Sequence, residues 1–185
     1  RWFMLSDSPP ERDLEWTDAG AAGASRFIQR IWKMFEESSS LIPLANTKPP
    51  QGIGKGPARE LRTATHRTIE KVTKDIEGFK FNVAVAQIHE FANTVTEALS
   101  NQNGKPELSW AIREALETLA ILVAPMMPHL AEEAWSSLGH KTLIAETPWC
   151  QHDPELSIQE SVTIGIQVNG KLRGTIDVPV GLSEK

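Results

Sequence analysis

Arg26, Arg30 and Lys33 are separated by four and three residues, the spacing that puts side chains on one face of a helix. Arg59, Arg62 and His66 form a second row, and Arg67, Lys71 and Lys74 a third, at the same intervals. Near the end, Lys171 and Arg173 alternate with apolar residues. Rows of this kind suit phosphate, because arginine presents a planar fork that grips an anion through two N–H groups and lysine adds a mobile point charge. A single row is as easily a solvated helix face, and 24 acidic residues offer these arginines internal partners instead. Several rows on separate elements of a chain whose net charge is −5 point to a polyanion lying across the fold. That net charge argues against indiscriminate nucleic-acid binding, so phosphate contacts must come from local patches.

No arrangement suited to catalysis accompanies these rows. His129, Glu132 and Glu133 stand at i, i+3 and i+4, a spacing compatible with a metal, but no second histidine joins them. Carboxylates near a helix start, stabilised by the positive end of the dipole, explain the glutamates without one. Cys150 and His152 are fewer ligands than a zinc site requires. As the single cysteine, Cys150 cannot form an internal disulfide, which fits a reducing compartment. Asp13 and Glu15 are neighbours without a visible cause for separate pKa values. In the stretch GIGKG, residues 52–56, the lysine is followed by Gly-Pro, where a phosphate loop needs Ser or Thr opening a helix.

The basic rows need helices to position them. Thr17 or Asp18 predicts the start of a helix running to about Glu37, with Phe27, Ile31, Met34 and Phe35 inward and Arg26, Arg30 and Lys33 outward. Residues 38–57, rich in Ser, Pro and Gly and without a period, predict a long loop. Leu61, Thr65, Ile69, Val72, Ile76 and Phe79 then make one buried stripe, flanked by the second and third basic rows, until Gly78 weakens or ends the helix. From near Asn82, the series Phe81, Val85, Ile88, Ala92, Val95 and Leu99 has the spacing of a bundle seam. A further helix bearing Leu108, Ile112, Leu116 and Leu119 stops at Pro125, and Pro128 opens a short one closed by Gly139. The expected fold is mainly α, an antiparallel helical bundle, with no repeat pattern of a solenoid.

After Trp149 the period changes to two, with Val162, Ile164, Ile166 and Val168 alternating with polar or small residues. This predicts a C-terminal β-hairpin. A two-residue Asn-Gly turn would set Ile166 opposite Arg173, so the expected register uses a three-residue loop with Gly170 left-handed. That register pairs Gln167 with Lys171, Ile166 with Leu172 and Val162 with Ile176, leaving Lys171 and Arg173 on the solvent face. A lone hairpin is marginal and should belong to a larger unit.

A chain of 185 residues, 40% hydrophobic and 23% charged, has room for one core-bearing domain plus an appendage. Its apolar runs break well short of the roughly 20 residues that cross a membrane, and no leader opens it. The expected location is cytoplasmic.

The ordered segments FMLSDSPPERDLEW, ASRFIQRIW, HRTIEKVTKDIEGFKFNVAVAQIHEF, LVAPMMPHLAEEAWSSLG with its following Pro-Trp, and VTIGIQVNGKLRGTIDVP together resemble the bacterial-type leucyl-tRNA synthetases. The Ala-Pro-x-x-Pro-His run alone would suit the Ile, Val or Met synthetases of the same class. The Ser-Pro-Pro segment and the Gln-Val-Asn-Gly-Lys hairpin narrow it to leucine. The resemblance implies a fragment: residues 1–16 connect from a missing catalytic domain, 17–150 form an anticodon-binding-type tRNA-docking bundle, 151–160 a linker, and 161–185 the opening of a small α/β domain that reaches the tRNA elbow. The family's His-Ile-Gly-His and Lys-Met-Ser-Lys-Ser motifs are absent. ATP and Mg therefore belong to the full-length ligase, and the fragment is expected to bind no cofactor and activate no leucine.

By the same resemblance, the bundle supports tRNA(Leu) by its stem and inner corner without reading anticodon bases. Arg26 and Arg30 match the two tRNA-facing arginines of the family's Arg-Phe-x-x-Arg helix, and His66, Arg67, Lys71 and Lys74 match a commonly basic one. Trp2 departs from a smaller apolar residue and Cys150 from a common proline. The implied partners are tRNA(Leu) and the rest of the polypeptide, in a monomer away from membranes. A protein-interaction scaffold is the competing class, and internal arginine–carboxylate pairing or an unbroken apolar patch would favour it.

Overall fold

The computed structural model describes residues 1–102, 104–157, 161–168 and 171–179. Thr17 opens the first long helix because its hydroxyl accepts the Gly20 N–H at 3.2 Å, satisfying one donor that a helix start leaves without a partner. The elements are α1 (Trp2–Asp7), α2 (Asp18–Ser38), α3 (Pro57–Glu77), α4 (Phe81–Ser100), α5 (Pro106–Val123), α6 (Pro128–Ser137), a 3-10 turn (Ile144–Glu146), α7 (Pro154–Ser157), β1 (Ser161–Val168) and β2 (Lys171–Pro179). Proline at the first position of α3, α5 and α6 costs no hydrogen bond there and presets the helical φ.

The expected stripes meet in one core. Ile31 and Phe35 of α2, Val72 of α3, Ile88 and Val95 of α4, and Ile112, Leu116 and Leu119 of α5 are fully buried. Helices α3, α4 and α5 pack on one another, while α6 joins α5 to α2. The segment before α2 contributes more than a connection. Trp2 and Phe3 of α1 are buried, and Trp2 stacks on Phe27 with ring centroids 4.8 Å apart.

Phe79 departs from its expected place on the buried stripe of α3. It is 68% exposed and adopts a φ of 57°, just past Gly78. The Lys80 N–H reaches back to the Asp75 carbonyl at 2.7 Å and the Phe79 N–H to Ile76 at 3.0 Å. This is a Schellman closure with Phe79 in the left-handed position, which swings its ring off the helix face and into an edge contact with Phe81.

The 38–57 loop is tied to α5 at several points. Arg113 donates to the Pro43 carbonyl at 2.6 Å, and Trp110 Nε1 to that of Thr47 at 2.7 Å. Gln102, just before α5, holds the Leu41 carbonyl at 2.9 Å.

The hairpin register expected from sequence is incorrect. Val168 lies opposite Lys171 and Gln167 opposite Leu172, after which Ile166 faces Gly174. Arg173 is thus the extra residue of a bulge within β2, which brings Ile164 opposite Ile176 and Val162 opposite Val178. An odd residue is needed to restore apolar parity, but the strand supplies it instead of the loop. The expected conformation of Gly170 lies outside the described residues.

Candidate nucleic-acid interface

Burial of Phe27, Ile31, Met34 and Phe35 sets the rotation of α2, so Arg26 and Arg30 project outward. Neither has a carboxylate within ion-pair reach among the described residues. Arg30 Nη1 donates to Asn93 Oδ1 of α4 at 2.8 Å, and the guanidinium lies 5.3 Å from the Phe27 ring centroid. Lys33, one turn on, pairs with Glu37 at 3.5 Å, but both side chains are about two-thirds exposed and the pair is screened. A groove of about 400 Å³ runs beside Arg30 and Lys33 toward Thr96 and Leu99.

His89 of α4 lies behind this face, its ring 3.8 Å from that of Phe27. Burial, then the charge of Arg30, push its pKa below the ordinary histidine value. Trp2 Nε1 donates to its Nε2 at 3.3 Å, so the neutral ring carries its proton on Nδ1.

The basic rows of α3 divide. Arg62 grips Glu114 of α5 with Nε at 2.8 Å and Nη2 at 3.1 Å, and lies over Trp110. His66 is buried, accepts the Asp153 N–H on Nδ1 at 3.0 Å, and approaches Glu114 with Nε2 at 3.5 Å. Burial alone would raise the Glu114 carboxyl; the close approach of His66, the hydrogen bonds from Arg62 and the charge of both outweigh it and hold the pKa below the ordinary value. Arg59 donates to the Glu155 carbonyl at 3.1 Å. The flank of Arg59, Arg62 and His66 is therefore no exposed basic surface but the seat of α5 and α7. On the other flank, Lys74 pairs with Glu70 at 2.6 Å, Lys71 reaches Gln87 at 3.5 Å, and Arg67 is half-buried. Lys171 and Arg173 are both exposed on β2, but Lys171 lies opposite Val168 and Arg173 is the bulged residue, so the expected alternation is not what places them.

Periodicity alone missed a second polar cluster. Arg113, 3% exposed, donates to the Pro43 and Leu138 carbonyls at 2.6 Å each and lies 2.8 Å from Glu117. His140 meets the same carboxylate at 2.8 Å and stacks on Trp135. Its only sequence signal is a charge beside Ile112 in an apolar stripe. Glu132 accepts the Ile144 and Ala145 N–H groups at 2.9 and 3.1 Å, capping the 3-10 turn, so the dipole of its own helix is not its role. Burial pushes the Cys150 thiol up to about 12, which leaves it protonated and unreactive. Among the described residues no group of three His, Cys, Asp or Glu could hold a metal ion, and no helix is long and apolar enough to cross a membrane.

A model of the anticodon-binding domain of tRNA ligase matches residues 58–185. The chain belongs to that family. This anticodon-binding domain is 47% identical over 180 residues to a leucine–tRNA ligase of Rhodopseudomonas palustris strain TIE-1, a match covering 97% of the chain and 20% of that relative. It is 50% identical over 181 residues to one from Mesorhizobium japonicum, covering 96% and 20%. The chain thus spans about a fifth of the curated relatives it matches. The solved Agrobacterium radiobacter K84 agnB2 LeuRS, in a ternary complex with tRNA and LeuAMS, superposes with a TM-score of 0.78 at 28% identity, over 100% of this chain and 24% of that one.

Proposed function

We propose that this domain docks tRNA(Leu) for a leucine–tRNA ligase, the full-length enzyme coupling ATP-dependent leucine activation to transfer onto the tRNA. The observation that carries the reading is the outer face of α2, where Arg26 and Arg30 have no counter-carboxylate among the described residues of an acidic chain. In water such cations gain from a phosphate backbone through counterion release, without reading bases. Lys33, Lys71 and Lys74 extend the positive field, since their surface partners are exchangeable; Lys171 and Arg173 add a second contact. Arg59, Arg62 and His66 stay out of the proposed interface because they hold α5 and α7. Internal pairing, which would favour a scaffold, accounts for Arg62 but not for the α2 arginines.

In this reading ATP and Mg are assigned to the remainder of the polypeptide, because the family's His-Ile-Gly-His and Lys-Met-Ser-Lys-Ser motifs do not occur in this sequence. The leucine relatives support leucine over Ile, Val or Met, and the proposed setting is a cytoplasmic monomer. The test is binding of a tRNA(Leu) transcript as salt is varied. Neutralising ~4 phosphates, the domain should bind weakly, with affinity falling at roughly the third to fourth power of salt. No binding at low salt, together with full aminoacylation by Arg26→Ala and Arg30→Ala in the full-length enzyme, would sink the proposal.

A further inference from the structure

Arg30 and Arg62 are built alike and committed differently. Each guanidinium lies over an aromatic ring, Phe27 at 5.3 Å and Trp110 at 5.1 Å. Arg62 closes its fork on the Glu114 carboxylate, which cancels its charge. Arg30 instead gives Nη1 to the Asn93 amide oxygen, and an amide orients a guanidinium without neutralising it. The Nε–Nη2 edge has no partner among the described residues, and this edge has the geometry that grips a phosphate with two parallel hydrogen bonds.

The support beneath Arg30 is itself held. Phe27 is 4% exposed, stacked on Trp2 at an interplanar angle of 8° and packed against His89 on the other helix. Asn93 follows His89 by four residues, so one face of α4 supplies both the ring beside Phe27 and the amide beside Arg30. Arg26, one turn earlier on α2, is exposed and has no such support among the described residues.

We propose that Asn93 is a positioning residue which, with the face of Phe27, presets the open edge of Arg30 for one backbone phosphate of the docked RNA. The inference rests on the docking function proposed above. Presetting removes the entropy that a long exposed side chain loses on binding, so Arg30 acts as an oriented fork and Arg26 as a diffuse charge.

The test measures a tRNA(Leu) transcript binding to the full-length protein, with variants checked for wild-type melting. Asn93 is exposed, so its replacement leaves the core intact. Asn93→Ala should weaken binding about three- to tenfold, the cost of ordering one freed side chain. Its salt slope should not change, because Arg30 still neutralises the same phosphate. Arg30→Ala should lower the slope by about one and erase the effect of Asn93→Ala in the double variant, whereas Arg26→Ala should add to it. Asn93→Asp should bind more weakly than Asn93→Ala, since a carboxylate would hold the fork itself. An equal loss from Asn93→Ala with and without the Arg30 side chain, or wild-type binding by Asn93→Asp, overturns the positioning role. If Arg30→Ala alone binds as wild type, the docking face is what fails.

Discussion

His89 illustrates how a residue chosen for packing acquires a pH dependence. Its folded pKa lies below the 6.5 it regains on unfolding, through burial first and the Arg30 charge second. Below that pH the unfolded chain takes up a proton that the folded chain resists. Stability from this residue is therefore fully present above about 6.5 and is lost as pH falls from there through the folded pKa. Glu114 also has a lowered pKa, but its contribution is present above 4.5 and lost only as pH falls below that, so the two windows separate. The urea midpoint is expected to drop between about pH 7.5 and 5.5 in the wild type, and to drop less in His89→Gln. Equal slopes would show that the Trp2–His89–Phe27 contacts do not control it.

Among the elements, the end of α3 holds a local conflict. A left-handed φ puts Cβ against the following carbonyl, and glycine alone escapes that cost. Here glycine occupies position 78, where φ is −84°, and the phenylalanine beside it takes the φ of 57°. The Phe79 ring recovers little by burial because it is mostly exposed. Phe79→Gly is therefore expected to raise stability by about 1 kcal/mol, read from chemical denaturation. A fall in stability would mean that the edge contact with Phe81 outweighs the backbone strain.

For the whole molecule, the bundle closes at α7. Leu156 is buried, and the backbone around it is fastened to α3 through Arg59 and His66. In the hairpin, by contrast, Ile166 and Ile176 are 46% and 49% exposed. A chain ending at Ser157 is expected to melt as the longer chain does, within about 2 °C. One ending at Trp149 should lose about 2 kcal/mol, from the uncovered Leu156 site and the orphaned groups on Arg59 and His66. A clear loss from the first truncation would show that the hairpin supports the bundle.

The amino-acid order by itself determined the helical stripes from α2 to α5 apart from Phe79, the proline and glycine boundaries and the outward set of Arg26 and Arg30. These follow from repeats of three to four residues and from backbone chemistry local to each segment. It also required an odd residue in the hairpin but put it in the loop, whereas the strand carries it at Arg173, because a bulge and a longer loop restore parity equally well. Tertiary structure alone decided which cations remain available. Glu114 stands 52 residues from Arg62 and Asn93 stands 63 from Arg30, so a carboxylate meets one guanidinium and an amide the other only when α3 and α5, and α2 and α4, are packed. Charge rows are a property of one helix; their neutralisation is a property of two.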